Sequence, residues 1–318
     1  MKLYIIGNGF DMAHGLYTSY WNFRKSLEDK YPEFLNSFEK LYDIEPLDDT
    51  EPWYTDAAQK RWEERVNKEL WSEFEKEMGT PNIQSMLDFS SSVIGDMSEE
   101  LITAGIKDTM DYYWRQEYGY IKNLQKYVKE WICTYSLENI KPRKKDIYNN
   151  TDDYFLNFNY TNLLEEVYNV KNVIHIHGGI GHNASYAPFM GHCNNKDIST
   201  YQNYAKEAFE IYNDGEASIH NAIAEYLKTI LKDTEHYINL NGSFFEKLKD
   251  VDEIIVIGWS AGDVDIPYLC KVRDSVISTA KWKAYYYNDN AKKGIEVAFQ
   301  SNSIHNYKLA QSELFWDC

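Results

Sequence analysis

The sequence predicts an α/β fold of Rossmann-like type, a mainly parallel sheet carrying a large helical insertion, and three observations lead there. Five short apolar runs rich in Val, Ile and Tyr read as buried strands: "LYII" (3–6), "DYFLNF" (153–158), "NVIHIH" (172–177), "EIIVIG" (253–258) and "WKAYYY" (282–287). Helical patterns separate most of them, and that alternation favours a parallel sheet covered by helices on both faces. Each run is followed at once by small or polar residues; in an open parallel sheet these C-terminal ends share one edge, where ligands bind.

The first strand stops at Gly7-Asn8-Gly9, with Phe10, Asp11, His14 and Gly15 behind it. Glycine lacks a Cβ, so this pattern suits either a tight turn or a close approach of the backbone to a ligand. A Gly-rich turn between strand and helix can present N–H groups to a pyrophosphate. The usual dinucleotide fingerprint G-x-G-x-x-G would need glycine where Met12 stands, so the loop is not an ordinary dehydrogenase one.

Residues 7–152 separate the first strand from the second and must hold their own structure. The stretches "YWNFRKSLEDKYPEFLNSFEKLYD", "YTDAAQKRWEERVNKELWSEFEKEM" and "GYIKNLQKYVKEWICTYSLEN" place aromatic and aliphatic residues at helical spacing among charges, with "DIEPLDDTEP" as a polar loop. They define a helical insertion over 20–148 within a single domain, 1–318. A smaller helical insertion over 197–235 fits "TYQNYAKEAFEIYNDGEASIHNAIAEYLKTILKD", with "NDG" as the turn. The Trp and Tyr stripes of both insertions have the period of interhelical packing rather than of a base-stacking surface.

The second strand leads into Asn159-Tyr160-Thr161, where Asn159 suits either a ligand contact or the cap of a helix starting near Thr161 or Asn162. The third carries His175 and His177. A period of two puts both on one face, with His177 at the strand's end before Gly178-Gly179. His175 reads as a hydrogen-bonded core residue and His177 as the candidate for chemistry. The fourth strand ends at Gly258-Trp259-Ser260 and the fifth at Asn288-Asp289; Asp263, in "GDVDIPYL", reads as a helix N-cap, and Asp265 as a group holding the site loops.

Composition narrows the function classes. The 318 residues hold 50 acidic and 33 basic side chains, a net charge of −17 that repels phosphate backbones and disfavours nonspecific nucleic-acid binding. Cys133, Cys193, Cys270 and Cys318 form no C-x-x-C pair, which points to reduced structural thiols rather than a zinc ribbon or a disulfide framework. The apolar start is too short for a signal-peptide core and no stretch approaches the roughly 20 apolar residues of a membrane span, so a cytoplasmic protein is expected.

Five ordered motifs, "IIGNGFDMAHGLYTSYWNF", "FNFNYTNLLEEVY", "IHIHGG", "MGHCN" and "IGWSAGDVDIPYL", resemble the bacteriophage abortive infection AbiH family. That family is in turn similar to the sirtuin-like NAD-binding fold. Gly7, Gly9, Gly15-Leu16, Asn159 and His177-Gly178 resemble the sirtuin loop glycines, the asparagine after the second core strand and the His-Gly after the next. Ser260 stands where sirtuins place a Gly-x-Ser contact. The resemblance implies NAD as substrate or ligand, contacted by Gly7, Asn8, Gly9, Phe10, Asp11, Gly15, Tyr160, Thr161, Gly178, Gly258, Ser260 and Asn288, with Asn159 and His177 catalytic. Asp11 replaces the sirtuin serine, and the four-cysteine zinc module is missing, which argues against protein deacylation.

The leading reading is an antiphage NAD glycohydrolase that cleaves the nicotinamide–ribose bond. The amide of Asn159 would orient the ribose hydroxyls or the attacking water, and His177 would act as general base. A second reading is a non-catalytic sensor of NAD or an ADP-ribose-type nucleotide. A third takes His175, His177, His182 and His192 as a metal site for phosphoester hydrolysis, against which stands the lack of clustered Asp ligands; no metal is expected. Because unrestrained NAD hydrolysis is toxic, control is expected through a phage-encoded trigger, through homo-oligomeric assembly or through occlusion of the site by the insertion.

Overall fold

A computed structural model describes residues 1–47, 50, 54–96, 99–181 and 184–317, without the side chains of residues 96 and 99–107. His182, Cys318 and Asp48, Asp49, Glu51 and Pro52 of the polar loop lie outside the described residues. The chain divides into two compact units, one made of residues 1–23, 126–189 and 233–318, the other of residues 24–125 and 190–232.

The first unit holds the sheet. Strands β1 (Lys2–Ile6), β2 (Tyr154–Asn157), β3 (Val173–His175), β4 (Glu253–Ile257), β5 (Lys281–Tyr286) and β6 (Tyr307–Gln311) pair in the order β3-β2-β1-β4-β5-β6, all parallel. The order reverses between β1 and β4, the switch point at which open α/β sheets leave a crevice. Register sets Ile6 level with Asn157 on one side and Ile257 on the other, and Asn157 level with His175.

Alternation along the strands serves two cores. Leu3, Ile5, Ile254 and Val256 pack with Phe245, Leu269 and Phe299, whereas Tyr4, Ile6, Ile255 and Ile257 pack with Phe10, Leu164 and Tyr168. Both faces are dry, which is why the strands read as unbroken apolar runs. Two expectations are corrected. A sixth strand, β6, extends the sheet beyond the five runs. And β3 stops at His175, because Ile176 and His177 turn away, so His175 and His177 do not share a strand face.

The second unit is helical among its described residues. The first helical pattern breaks at Tyr31-Pro32 into Tyr20–Lys30, which begins in the sheet unit, and Pro32–Lys40. Asp56–Glu69 is capped by Thr55, whose side chain accepts from the amide of Ala58. Asn195–Glu210 and Asp214–Thr229 pack together, capped by Asn194 and Asn213. Their turn falls at Ile211–Asn213 rather than at Asn213-Asp214-Gly215: Tyr212 takes the left-handed conformation at φ 60°, and Gly215 is already helical. A groove of about 400 Å³ in this unit has Trp114, Tyr118 and Tyr226 among its walls; no residue singled out in the sequence lines it.

Buried charge in this unit is paired. Arg24 Nε and Nη2 donate to the two oxygens of Glu39 at 2.7 and 2.9 Å, and Trp71 Nε1 adds a third bond to Glu39 at 2.7 Å. Lys232 meets Glu75 with both side chains buried. His192 is fully buried: Nε2 lies 2.9 Å from the carbonyl of Leu227, and Nδ1 accepts from the amide of Asn194 at 2.9 Å. This pattern fits a neutral ring with its proton on Nε2, and burial lowers its pKa to about 4.

The unfolded chain therefore binds a proton at this histidine that the folded chain refuses, and the stability tied to its neutral form is lost as pH falls from about 6.5 towards 4. Urea denaturation at pH 7.5 and pH 5 is expected to show a loss of roughly 2 kcal/mol from this group. His14, also lowered by burial, adds in the same direction. His192→Gln keeps a donor for Leu227 and is expected to reduce the pH dependence by that amount.

Candidate functional site

The site lies at the C-terminal edge of the sheet, around the switch point. Gly7, extended at φ −111°, caps a helix over Asn8–Ala13. The amides of Gly7, Gly9 and Phe10 donate to the carbonyls of Ile257, Gly258 and Gly7 at 2.9, 2.8 and 2.9 Å. A Cβ on Gly7 would stand 2.6 Å from Trp259 Cα, and one on Gly9 would stand 2.7 Å from Gly258 Cα. Gly258 itself has φ +70°. The glycines after β1 and β4 are thus accounted for by two backbones in contact, with those three amides already engaged. Gly15, at φ +80° just past the helix, faces open space.

Behind this contact sits a polar cluster. Asp11 is buried; Oδ1 accepts from Asn159 Nδ2 at 2.8 Å and Oδ2 from Thr161 Oγ1 at 2.7 Å. Burial raises its pKa to about 7, against the opposing pull of Thr161 and Asn159. Asn159 Nδ2 also donates to the carbonyl of Gly7 at 3.1 Å, and the Asn159 amide donates to Asn157 Oδ1 at 3.1 Å. Asn159 therefore does not cap a helix; the Leu163–Glu166 helix begins after Asn162. His175 reaches the carbonyl of Asn159 through Nδ1 at 3.0 Å and Glu165 Oε1 through Nε2 at 2.6 Å. Burial opposes charge on His175, but Glu165, the Asn159 carbonyl and Asp11 outweigh it and raise its pKa.

A second group stands beside the first. His177, 5% exposed, lies between the rings of Phe158 and Tyr268, with centroids 5.0 and 5.5 Å away. Its Nε2 is at ion-pair distance, 3.3 Å, from Asp265 Oδ1, and Asp265 Oδ2 accepts from Trp259 Nε1 at 2.8 Å. Phe158 precedes Asn159 and Trp259 follows Gly258, so the two groups flank the β1–β4 contact. A histidine so held among aromatic rings can take a proton and have its charge balanced by Asp265.

The remaining sequence-chosen residues divide by what they touch. Asn8 is tied to Thr18, donating to its carbonyl at 3.0 Å and accepting from its hydroxyl at 2.5 Å. Phe10 is a core residue instead of a ligand contact: it is fully buried against Tyr168 and Trp316 because the helix turns it under the sheet. Tyr160 donates to the carbonyl of Phe189, and Gly178, at φ +74°, leaves no room for a Cβ beside Ala187. Ser260 is exposed, and exposed Asn288 caps the Asp289–Ser301 helix through the amide of Ala291. Asp263 does not cap through its side chain; its short helix starts after Gly262.

Of the four histidines of the metal reading, His182 lies outside the described residues. His175 and His177 point to different carboxylates, and His192 belongs to the helical unit with both ring nitrogens in use. Among the described residues no group of three or more His, Cys, Asp or Glu is placed to hold an ion. Glu165 and Trp259 were not singled out from the sequence. The register of β2 against β3 is the signal that would have placed the Leu163–Glu166 turn beside His175.

Fold and site together define a Rossmann-like α/β protein with a buried His–Asp pair at the switch point of its sheet. A family model described as bacteriophage abortive infection AbiH matches residues 3–286, and the chain belongs to that family. It is thereby an abortive-infection antiphage defence protein. No curated protein and no solved structure matches it. Among the described residues no helix is long and apolar enough to cross a membrane.

The backbone contact at the switch point can be tested by adding one methyl group. Gly258→Ala puts a Cβ at a left-handed φ and 2.7 Å from the Gly9 carbonyl carbon, and is expected to cost at least about 2 kcal/mol in urea denaturation. Gly15→Ala, left-handed but facing open space, is expected to cost about 1 kcal/mol.

Proposed function

We propose that the protein binds an NAD-type dinucleotide at the sheet edge and hydrolyses its nicotinamide–ribose bond. The observation that carries the reading is the His177–Asp265 pair, with His177 set between the rings of Tyr268 and of Phe158, the residue before Asn159, beside the switch point. The resemblance of the glycines, Asn159 and His177-Gly178 to the sirtuin-like pattern supports the choice of dinucleotide. In the reaction the C1′–N bond breaks, nicotinamide leaves neutral, and water adds to the oxocarbenium-like sugar. His177 takes the proton that water loses, and Asp265 balances the resulting imidazolium.

The fit of the ligand bears on which groups hold it. The amides of Gly7, Gly9 and Phe10 are already bonded within the protein, so the phosphates would need other donors, and exposed Ser260 and Asn288 stand within three residues of the strand ends. Asn159 Nδ2 is likewise held by Asp11 and Gly7, which leaves the amide oxygen to meet a ribose hydroxyl or the water. The same observation favours a second reading, a nucleotide sensor that binds without turnover.

Incubation of purified protein with NAD, with nicotinamide followed by chromatography, separates these. Release is expected from the wild type and at least about a hundredfold less from His177→Ala and Asp265→Asn. Tight calorimetric binding of intact NAD without release, also in extract of phage-infected cells, would establish the sensor. The absence of both binding and release would sink the dinucleotide reading.

A further inference from the structure

A second histidine, outside the proposed chemistry, is built into the same edge. The side chain of His175 is fully buried and that of Glu165 is 11% exposed, so their 2.6 Å contact is shielded from water. The other ring nitrogen faces the carbonyl oxygen of Asn159 at 3.0 Å, with Asn157 Nδ2 farther off at 3.5 Å, so the nearer, accepting carbonyl sets its role. A backbone carbonyl can only accept, so Nδ1 carries a proton; Glu165, when ionised, also only accepts, so Nε2 carries one too. The ring then donates at both ends, a cation held between a carboxylate and the main chain of Asn159. Asp11 is the other acid that bears on it.

The carbonyl that His175 grips belongs to the residue whose side chain faces the site. Asn159 is fixed at three further points: its N–H on Asn157, and its Nδ2 on both Asp11 and Gly7. Releasing the carbonyl would let the Asn159 peptide rotate and carry the amide with it. From this juxtaposition we infer that His175 and Glu165 are positioning residues, a buried imidazolium–carboxylate clamp that holds Asn159 in register with Asp11 and Gly7. The kinetic consequence rests on the proposed reaction at Asn159; the clamp itself does not.

Two measurements keep these apart. The first is nitrogen NMR of the histidine rings of the intact protein. His175 is expected to be protonated on both nitrogens at pH 7.5, whereas a single protonation there would overturn the clamp even before any variant is made. The second follows solvent exchange of the Asn159 side-chain NH₂ in asparagine-labelled protein. In Glu165→Gln this exchange is expected to accelerate at least about tenfold while exchange in the β1 and β4 backbones is unchanged; equal Asn159 exchange in both proteins would also overturn it.

If the wild type hydrolyses NAD, Glu165→Gln is expected to lower kcat by about tenfold to a hundredfold with KM nearly unchanged, and Glu165→Asp to restore part of the loss. An unchanged kcat would remove the kinetic role. If the wild type does not hydrolyse NAD, the proposed reaction fails, while the ring protonation and amide exchange still decide the clamp.

Discussion

The contact between the end of β1 and the end of β4 is the constraint on which the site depends. Gly7, Gly9 and Gly258 let two turns meet at backbone distance, where any side chain would hold them apart. That approach places Trp259 where its indole can reach Asp265, and brings the carbonyl of Gly7 to the amide of Asn159. The His177–Asp265 pair and the Asp11–Asn159–Thr161 cluster are thus joined through a single junction. The glycines act as spacers of zero thickness, and the crevice at the switch point is shaped by what flanks them.

The polar interior of this edge follows from its burial. A carboxylate as deep as Asp11 is stable only when its oxygens are satisfied, and Thr161 and Asn159 supply one bond each. Glu165 is met by His175 at one oxygen, Oε1, while its buried Oε2 has no hydrogen-bond partner among the described residues. Three acids of this edge have partners of their own: Asp11 an amide and a hydroxyl, Glu165 an imidazole, Asp265 an imidazole and an indole. The two histidines of "IHIHGG" consequently face different acids, a division the turn at Ile176 makes possible.

Most of the sheet was legible because both its faces are buried and its strands need unbroken apolar runs. The strand missed, Tyr307–Gln311, is an edge strand whose residues are half-buried or exposed, so it carries no such run. Asn159, Thr161 and His177 stand within a few residues of the strand ends and Asp11 in the first helix, and the structure buries all four at the sheet edge, where the polar run after each strand placed them. Glu165 could not, since its meaning depends on the register between β2 and β3, which a one-dimensional pattern does not encode. Phe10 differs for a related reason: a residue beside a glycine turn can face the crevice or the core, and the helix after Gly7 turns it towards the core. The cap expected at Asn159 fails because the helix begins only at Leu163, and the one at Asp263 because the short helix already includes that residue, starting after Gly262.

One feature of the sheet reaches into how the protein is made. The central strand is formed by residues 2–6, yet its neighbours are residues 154–157 and 253–257. On the ribosome, β1 has no partner until half the chain has been synthesised, and the junction with Gly258 cannot close until most of it has. Such long-range parallel pairing is slow and leaves an apolar edge to be shielded meanwhile. It also means that a chain stopped between residues 178 and 264 carries Asn159 and His177 without Asp265, so the buried His177–Asp265 pair cannot form until the fourth strand and its loop have been made.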